Sequence, residues 1–199
     1  MKKIALTSLL TVMVIGNAHA ATNYFVGGSA GISLDSEHAT VLNVAPEFGW
    51  KYNDNWDFGV AAHFGYDHKY LVEKYGEEGE AYAYGVGGFA RYKLAEFGDF
   101  KLLLKGSVGL DMWTGVPDDE DIDDETATAI TGMIIPMVTY DVSENFTLYA
   151  NLNFLGVYAG YNFKNEDLGI TESWELGAGV DSDNVANTGN FQIGFLYNF

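Results

Sequence analysis

Residues 41–66 read VLNVAPEFGWKYNDNWDFGVAAHFGY, and apolar residues occupy every second position on both sides of a short polar stretch, residues 53–55. The intervening positions hold glycine, alanine and polar or charged residues. An alternation of period two is that of a β-strand, in which successive side chains point to opposite faces. A short run of Asn and Asp is typical of a turn. The stretch therefore predicts two antiparallel strands joined by a turn.

The same alternation recurs along most of the chain. We predict eight strands, at about residues 23–33, 41–52, 56–66, 82–94, 101–112, 127–140, 146–158 and 190–199. Strands in ordinary sheets have about five or six residues, whereas a tilted strand needs ~9–11 residues to cross a bilayer. The sixth strand is apolar on both faces, so its register stays open. The predicted fold class is all-β: an eight-stranded antiparallel up-and-down transmembrane β-barrel.

The connections between these strands alternate in length. The short ones are residues 53–55, 95–100 and 141–145, and the long ones are residues 34–40, 67–80, 113–126 and 159–189. Bacterial outer-membrane barrels have short periplasmic turns and longer extracellular loops, so we expect both termini on the periplasmic side. Residues 172–181 also alternate, and we interpret them as part of a β-hairpin or a long strand that projects outside the membrane. A ten-stranded barrel is the alternative, but it needs one further strand.

Charged residues fall on the face of the strands opposite to the large apolar residues. A membrane barrel turns such residues towards its interior. We therefore predict the lumen charges Glu47, Lys51, Asp57, His63, Arg91, Lys93, Lys101, Lys105 and Asp111. The acidic and basic members could pair across a lumen that, with eight strands, encloses little more than its own side chains. We expect a largely plugged barrel with at most a small, gated conductance.

The N-terminus has the pattern of a secretory signal peptide. Lys2 and Lys3 precede a mostly apolar run, residues 4–15, and Ala18-His19-Ala20 fits a small-x-small cleavage site. The apolar run is shorter than the ~20 residues of a membrane-spanning helix. We expect residues 1–20 to be removed and residues 21–199 to form the barrel domain.

The charge balance restricts the partners. The chain has 28 Asp and Glu against 10 Lys and Arg, and the expected signal peptide removes two of the lysines. This balance argues against nucleic acid, whose phosphates require basic contacts. The chain has no cysteine, which excludes disulfides and thiolate metal sites. No cofactor is predicted.

The C-terminus carries the most specific motif. Apolar residues occupy alternate positions up to the last residue: Phe191, Ile193, Phe195, Tyr197 and Phe199. A terminal Phe preceded by this stripe resembles the signal that the outer-membrane barrel assembly machinery recognises. Over its mature length the chain resembles the small outer-membrane barrels of Gram-negative bacteria, the OmpX, Ail and OmpA transmembrane-domain group and the opacity-type porin-family proteins.

The resemblance implies a non-enzymatic integral protein of the outer membrane, with a role in surface contact or envelope maintenance. It implies outer-membrane lipid and lipopolysaccharide as surroundings, barrel assembly machinery and periplasmic chaperones as partners in biogenesis, and a monomer. Two alternatives stay open. One is a small pore or transport protein for ions or small solutes, and the other is a barrel enzyme that acts on lipid A or peptides.

Two residue groups are weaker candidates for chemistry. His63 with Asp67 and His68 could activate water, but no second Asp pair follows at a recognisable spacing, so no catalytic residue is predicted. An acidic stretch could bind a divalent cation weakly, although a solvated, self-repelling loop is the simpler interpretation. Its members are Asp118, Asp119, Glu120, Asp121, Asp123, Asp124 and Glu125.

Overall fold

The structure is a computed structural model that describes residues 23–33, 41–67, 79–117, 125–153, 155–164, 171–178 and 192–199. These residues form ten strands: β1 Tyr24–Ser33, β2 Val41–Lys51, β3 Trp56–Asp67, β4 Gly79–Phe97, β5 Phe100–Pro117, β6 Glu125–Asp141, β7 Phe146–Asn151, β8 Val157–Asn162, β9 Ser173–Ala178 and β10 Gln192–Asn198. Within these ranges no helix is long and apolar enough to cross a membrane.

The ten strands occupy eight positions in a closed antiparallel wall. Strands β1 to β6 pair in chain order, and β10 pairs with both β1 and β7. Strands β7 and β8 both pair with β6, β7 along Met137–Asp141 and β8 along Ala129–Ile134, so they share the seventh position. Strand β10 occupies the eighth position next to β7, and β9 occupies the same position next to β8. The eight-stranded barrel is confirmed, and the ten-stranded alternative is wrong.

The strand predicted at residues 146–158 is interrupted, and Pro136 of β6 explains the position of the break. Asn151 lies opposite Met137 and Val157 lies opposite Ile134, so five residues of the seventh position face only two of β6. The N–H of Leu152 donates to the carbonyl of Pro136 at 3.0 Å. The backbone C=O and N of Pro136 therefore face the seventh position, where the break lies. Because proline has no N–H, the ladder loses a hydrogen bond there.

The register sets the tilt of the strands. The paired residues can be followed round the barrel from Gly27 in both directions. Through β2, β3, β4 and β5 they lead to Thr131 of β6. Through β10 and β7 they lead to Asp141, ten residues further along the same strand. A stagger of this size over eight positions tilts the strands by about 40°. A barrel of eight strands leaves an interior wide enough only for side chains or one small ligand.

The two faces of the wall differ as the alternation predicts. Valines such as Val60, Val86 and Val108 are more than half exposed on the outer face, whereas Phe25, Phe89 and Tyr149 are buried inside. Aromatic pairs lie on the outer face near the short turns, for example Trp56 with Tyr92 and Phe100 with Tyr140. We call this end of the barrel the short-turn end, and the opposite end the long-loop end.

The hairpin expected near residues 172–181 is present in part. Strand β9 pairs with β8 from Asn162–Ser173 to Val157–Ala178, and residues 179–181 lie outside the described ranges. The rung that joins Val108, Gly132 and Ala159 continues to Leu176. Strand β9 is therefore part of a hairpin with β8, as one of the two interpretations expected, and it lies within the wall as far as the rung of Val108.

Candidate functional site

The interior is crossed at mid-height by an ion-paired group from three strands. Glu47 of β2 accepts a hydrogen bond from Arg91 Nη2 of β4, and its other oxygen lies 3.7 Å from Lys105 Nζ of β5. The side chains of Arg91 and Glu47 are 0% and 2% exposed, and that of Lys105 is 14% exposed. All three were predicted lumen charges, and the structure brings them together.

Aromatic rings surround this group. The guanidinium carbon of Arg91 lies 4.5 Å from the ring centre of Phe89, 5.3 Å from that of Phe25 and 5.6 Å from that of Tyr149. Lys105 Nζ lies 5.2 Å from the Phe89 ring centre. A cation held over desolvated aromatic rings gains about 2 kcal/mol or more. We call Phe25, Glu47, Phe89, Arg91, Lys105 and Tyr149 the central layer.

Glycines in the wall make room for the rings of the central layer. A Cβ on Gly49 would lie 2.4 Å from Cζ of Phe25, and a Cβ on Gly59 would lie 2.4 Å from Cζ of Phe89. The tip of each ring therefore lies against a wall position that has no side chain. Glycine has a low propensity for strands. Here the inward-facing glycines leave the space that the large rings of the interior occupy.

The central layer lies between two separate spaces. On the long-loop side is a cavity of about 160 Å³ lined among others by Asn43, His63, Lys105, Asp111, Trp113 and Asn151. We call it the long-loop cavity. On the other side is a space of about 410 Å³ lined among others by Lys51, Asp57, Lys93, Lys101, Asp141 and Asn198. We call it the short-turn vestibule. Among the residues that the structure describes, none lines both spaces.

A second group of polar side chains in contact lies in the long-loop cavity. His63 Nε2 of β3 is 3.1 Å from Asp111 Oδ1 of β5, and the hydroxyl of Thr131 donates to the other oxygen of Asp111. Gly85 of β4 stands between them on the same rung, and a Cβ there would lie 2.3 Å from His63 Cε1 and 2.4 Å from Asp111 Oδ1. The missing side chain lets strands two positions apart make a contact.

The predicted partners of His63 are not those that the structure describes. The sequence pointed to Asp67 and His68, but His68 and the side chain of Asp67 lie outside the described part of the chain. The partner that is described, Asp111, lies 48 residues away in sequence. The signal that could have identified it is Gly85, an inward-facing glycine of β4 between polar inward positions of β3 and β5.

The remaining lumen charges collect at the short-turn end. Lys101 pairs with Asp141, which also accepts a hydrogen bond from Thr147 at 2.8 Å. Lys93 pairs with Glu96 at 2.6 Å on its own strand. These pairs correct the expectation that Lys93 and Lys101 pair with predicted lumen acids, because Glu96 and Asp141 were not among them. Asp57 lies opposite Lys51 and Arg91 on its two neighbouring strands.

The terminal stripe lies on the outer face of β10. Ile193, Phe195 and Tyr197 are 58%, 48% and 46% exposed. Phe195 stacks on Phe146 with ring centres 5.8 Å apart, and Tyr197 contacts Phe199. Phe191 lies outside the described residues. The strand that carries the stripe is the one that closes the barrel against β1.

The other predicted features fall outside what the structure describes. They are the signal peptide, residues 1–20, and the acidic residues 118–124; Glu125 begins β6, but its side chain is not described. Within the described ranges no group of three His, Asp or Glu side chains could hold a metal ion.

A closed antiparallel wall of eight positions, apolar outside and charged inside, defines the class of the small outer-membrane β-barrels. No protein-family model matches the sequence, and no curated protein matches it. Among solved structures, the fold is similar to Neisserial surface protein A, at 17% identity and a TM-score of 0.57, over 91% of this chain and 100% of that chain.

It is also similar to a major outer membrane protein from Thermus thermophilus, at 13% identity and a TM-score of 0.51, over 90% of this chain and 100% of that chain. Both neighbours are outer-membrane barrels by architecture, and the chain has their fold. At these identities the likeness is one of fold alone.

Proposed function

We propose that the protein is an integral outer-membrane β-barrel with a structural or surface-contact role, whose interior is closed by the central layer. The observation that carries the proposal is the complete burial of Arg91 between Glu47 and three aromatic rings. A charged group held this way is costly to displace, because moving it leaves a buried carboxylate without its partner. The layer therefore opposes the passage of ions between the two spaces.

Charge supports placing the long-loop end outside the cell. The four long connections, residues 34–40, 67–80, 113–126 and 159–189, hold 20 of the 28 acidic residues and three lysines. Five of the eight basic residues of the mature chain are instead the lumen residues Lys51, Arg91, Lys93, Lys101 and Lys105. A barrel with neutralised interior charge and acidic loops fits a role in contacts at the cell surface, since loops carry function on such scaffolds.

The first experiment is planar-bilayer conductance of the refolded mature protein, after heat-modifiable gel mobility has shown that it is folded. We expect no steady openings from the unaltered barrel. A variant that removes the layer, Phe89→Ala with Arg91→Ser, is expected to conduct, because it connects the two spaces. Lys101→Ser, which alters only the short-turn vestibule, is the matched control and is expected to stay silent.

The alternative function, a small pore, predicts a different pattern. Steady single-channel openings of the unaltered protein that change when Arg91 or Lys105 is neutralised would overturn the plugged barrel. We propose further that the protein is not an enzyme, which is supported by the contacts of His63 within the described residues: its carboxylate partner Asp111 is held in turn by Thr131, and no second carboxylate joins this pair.

Cysteine labelling tests location and orientation together, because the chain has no cysteine of its own. Asp121→Cys lies in a long connection and Asp54→Cys in a short turn. We expect a membrane-impermeant maleimide to label position 121 in intact cells and position 54 only after the outer membrane is permeabilised. Labelling of position 54 alone in intact cells would reverse the orientation.

A further inference from the structure

The long-loop cavity has the size of a small-solute site. Its volume of about 160 Å³ compares with the 10–15 Å³ that one ordered water needs, so it has room for a solute of about ten non-hydrogen atoms. One wall consists of small residues of β3, β4 and β5, among them Ala61, Ala83 and Gly109. The other walls carry amide, hydroxyl and charged side chains. A cavity with one bare wall and one polar wall can orient a ligand.

Two groups in this cavity, those of the buried Asn151 and of the 14% exposed Lys105, have hydrogen-bonding capacity that their neighbours do not use. Asn151 is 2% exposed, its Nδ2 donates to Gln192 Oε1 at 3.3 Å, and its Oδ1 has no hydrogen-bond partner among the described residues. Lys105 Nζ is 3.7 Å from Glu47 Oε2, which is longer than a hydrogen bond. The cavity thus offers an acceptor at Asn151 and an ammonium donor at Lys105.

Of the central layer, Phe89 and Lys105 line the floor of the cavity, and Lys105 is the charged one of the two. Arg91 and Lys105 share the single carboxylate of Glu47. Asp111 is engaged on both oxygens, by His63 and by Thr131. The carboxylates on the other side of the layer, among them Asp57 and Asp141, line the short-turn vestibule and not this cavity. An anionic group in the cavity could therefore accept hydrogen bonds from the Lys105 ammonium group, which Glu47 approaches only to 3.7 Å.

We propose that the long-loop cavity binds a small carboxylate that carries a hydroxyl or amino group. The carboxylate accepts hydrogen bonds from Lys105, and the hydroxyl or amino group donates to Oδ1 of Asn151. The proposal goes beyond the surface role proposed above, because it concerns a solute held inside the barrel, between Lys105 of the central layer and Asn151.

The test is calorimetric titration of the refolded mature protein in detergent micelles with three probes. L-lactate has both groups, lactamide replaces the carboxylate with an uncharged amide, and propionate lacks the hydroxyl. We expect lactate to bind about tenfold or more tightly than lactamide, since hydrogen bonds to charged groups are the stronger kind. Propionate is expected to fall between them. Equal affinity for lactate and lactamide, or no lactate binding, would overturn the proposal.

Variants then assign the two contacts. Lys105→Met is expected to remove the preference for lactate over lactamide, and Asn151→Leu the preference for lactate over propionate. Ala83→Leu leaves both contact residues in place and fills the cavity, so it is expected to abolish binding even if Lys105→Met does not fold. Lys101→Met, in the short-turn vestibule, is expected to bind lactate unchanged. Loss of binding in Lys101→Met that matches the loss in Lys105→Met would place the site elsewhere and overturn the assignment.

Discussion

Arg91 and Lys93 lie two residues apart on the inner face of β4, yet their surroundings are opposite. Arg91 is fully buried and pairs across the lumen with Glu47 of β2, 44 residues away. Lys93 is 24% exposed and pairs with Glu96, three residues further along its own strand. Strand β5 repeats the contrast in a weaker form, with the side chain of Lys105 14% exposed and that of Lys101 27% exposed.

The contrast shows that height along the barrel decides what an inward charge does. At mid-height the rings of Phe25, Phe89 and Tyr149 exclude water, so the charges there depend on each other. At the short-turn end the charges line a larger space of about 410 Å³, where solvent shares in their stabilisation. Removal of one inward charge should therefore lower the free energy of unfolding most in the central layer, and less the nearer the charge lies to the short-turn end.

The largest effect is expected for Arg91→Met. The substitution keeps an unbranched side chain but leaves Glu47 buried with only the distant Lys105, and loss of one partner of a buried pair costs about 3–5 kcal/mol. The measurement is the free energy of unfolding in urea for the barrel refolded in lipid vesicles. In the double variant Glu47→Gln with Arg91→Met, most of the loss should be recovered. A loss below about 1 kcal/mol for Arg91→Met would show that the central layer is hydrated, as exposed pairs are.

A smaller but clear effect is expected for Gly85→Val. Its Cβ would meet His63 Cε1 at 2.3 Å and Asp111 Oδ1 at 2.4 Å, so the pair must separate. Overpacking of this kind costs about 1–3 kcal/mol. Gly106→Val is the matched control, because the nearest atom to its added Cβ is Cγ1 of Ile134 at 4.0 Å. The urea titration should separate the two variants, and equal losses would mean that strand propensity, not the His63 contact, sets the cost.

Much of this architecture could be predicted from the sequence, because period two assigns a face to each residue before the strands are placed. The inward positions of Glu47, Arg91 and Asp111 followed from it directly. The partners could not be predicted, because they depend on the register of each neighbouring strand pair from β2 to β6, which the alternation leaves open in steps of two residues. A shift of two residues in that register would keep every face and change the ion pairs.

The interrupted seventh position was missed for a related reason. The alternation of residues 146–158 continues through the break, so periodicity alone predicts one strand. The cause lies on the neighbouring strand, where Pro136 has no N–H to offer. The sixth strand was also the one whose register the sequence left open.

An intermediate test of the short-turn end is Lys101→Met. Lys101 and Asp141 are each about one-third exposed, and Asp141 keeps its hydrogen bond from Thr147 after the substitution. Exposed pairs contribute about 0.2–1 kcal/mol, so the loss in the urea titration should stay below about 1 kcal/mol. The contribution should shrink further in high salt. A loss as large as that of Arg91→Met would contradict the dependence on height.

The smallest effect is expected for Lys93→Met, at the far end of the contrast with Arg91. Its partner Glu96 is close in sequence and half exposed, so water replaces the lost contact. The urea midpoint should not move measurably from that of the unaltered barrel, in low or high salt. Glu96→Gln, which removes the other partner, serves as the matched variant and should behave in the same way. A measurable loss in Lys93→Met alone would mean that Lys93 stabilises the vestibule through Asp54 or Asp57, which line the same space, and not through Glu96.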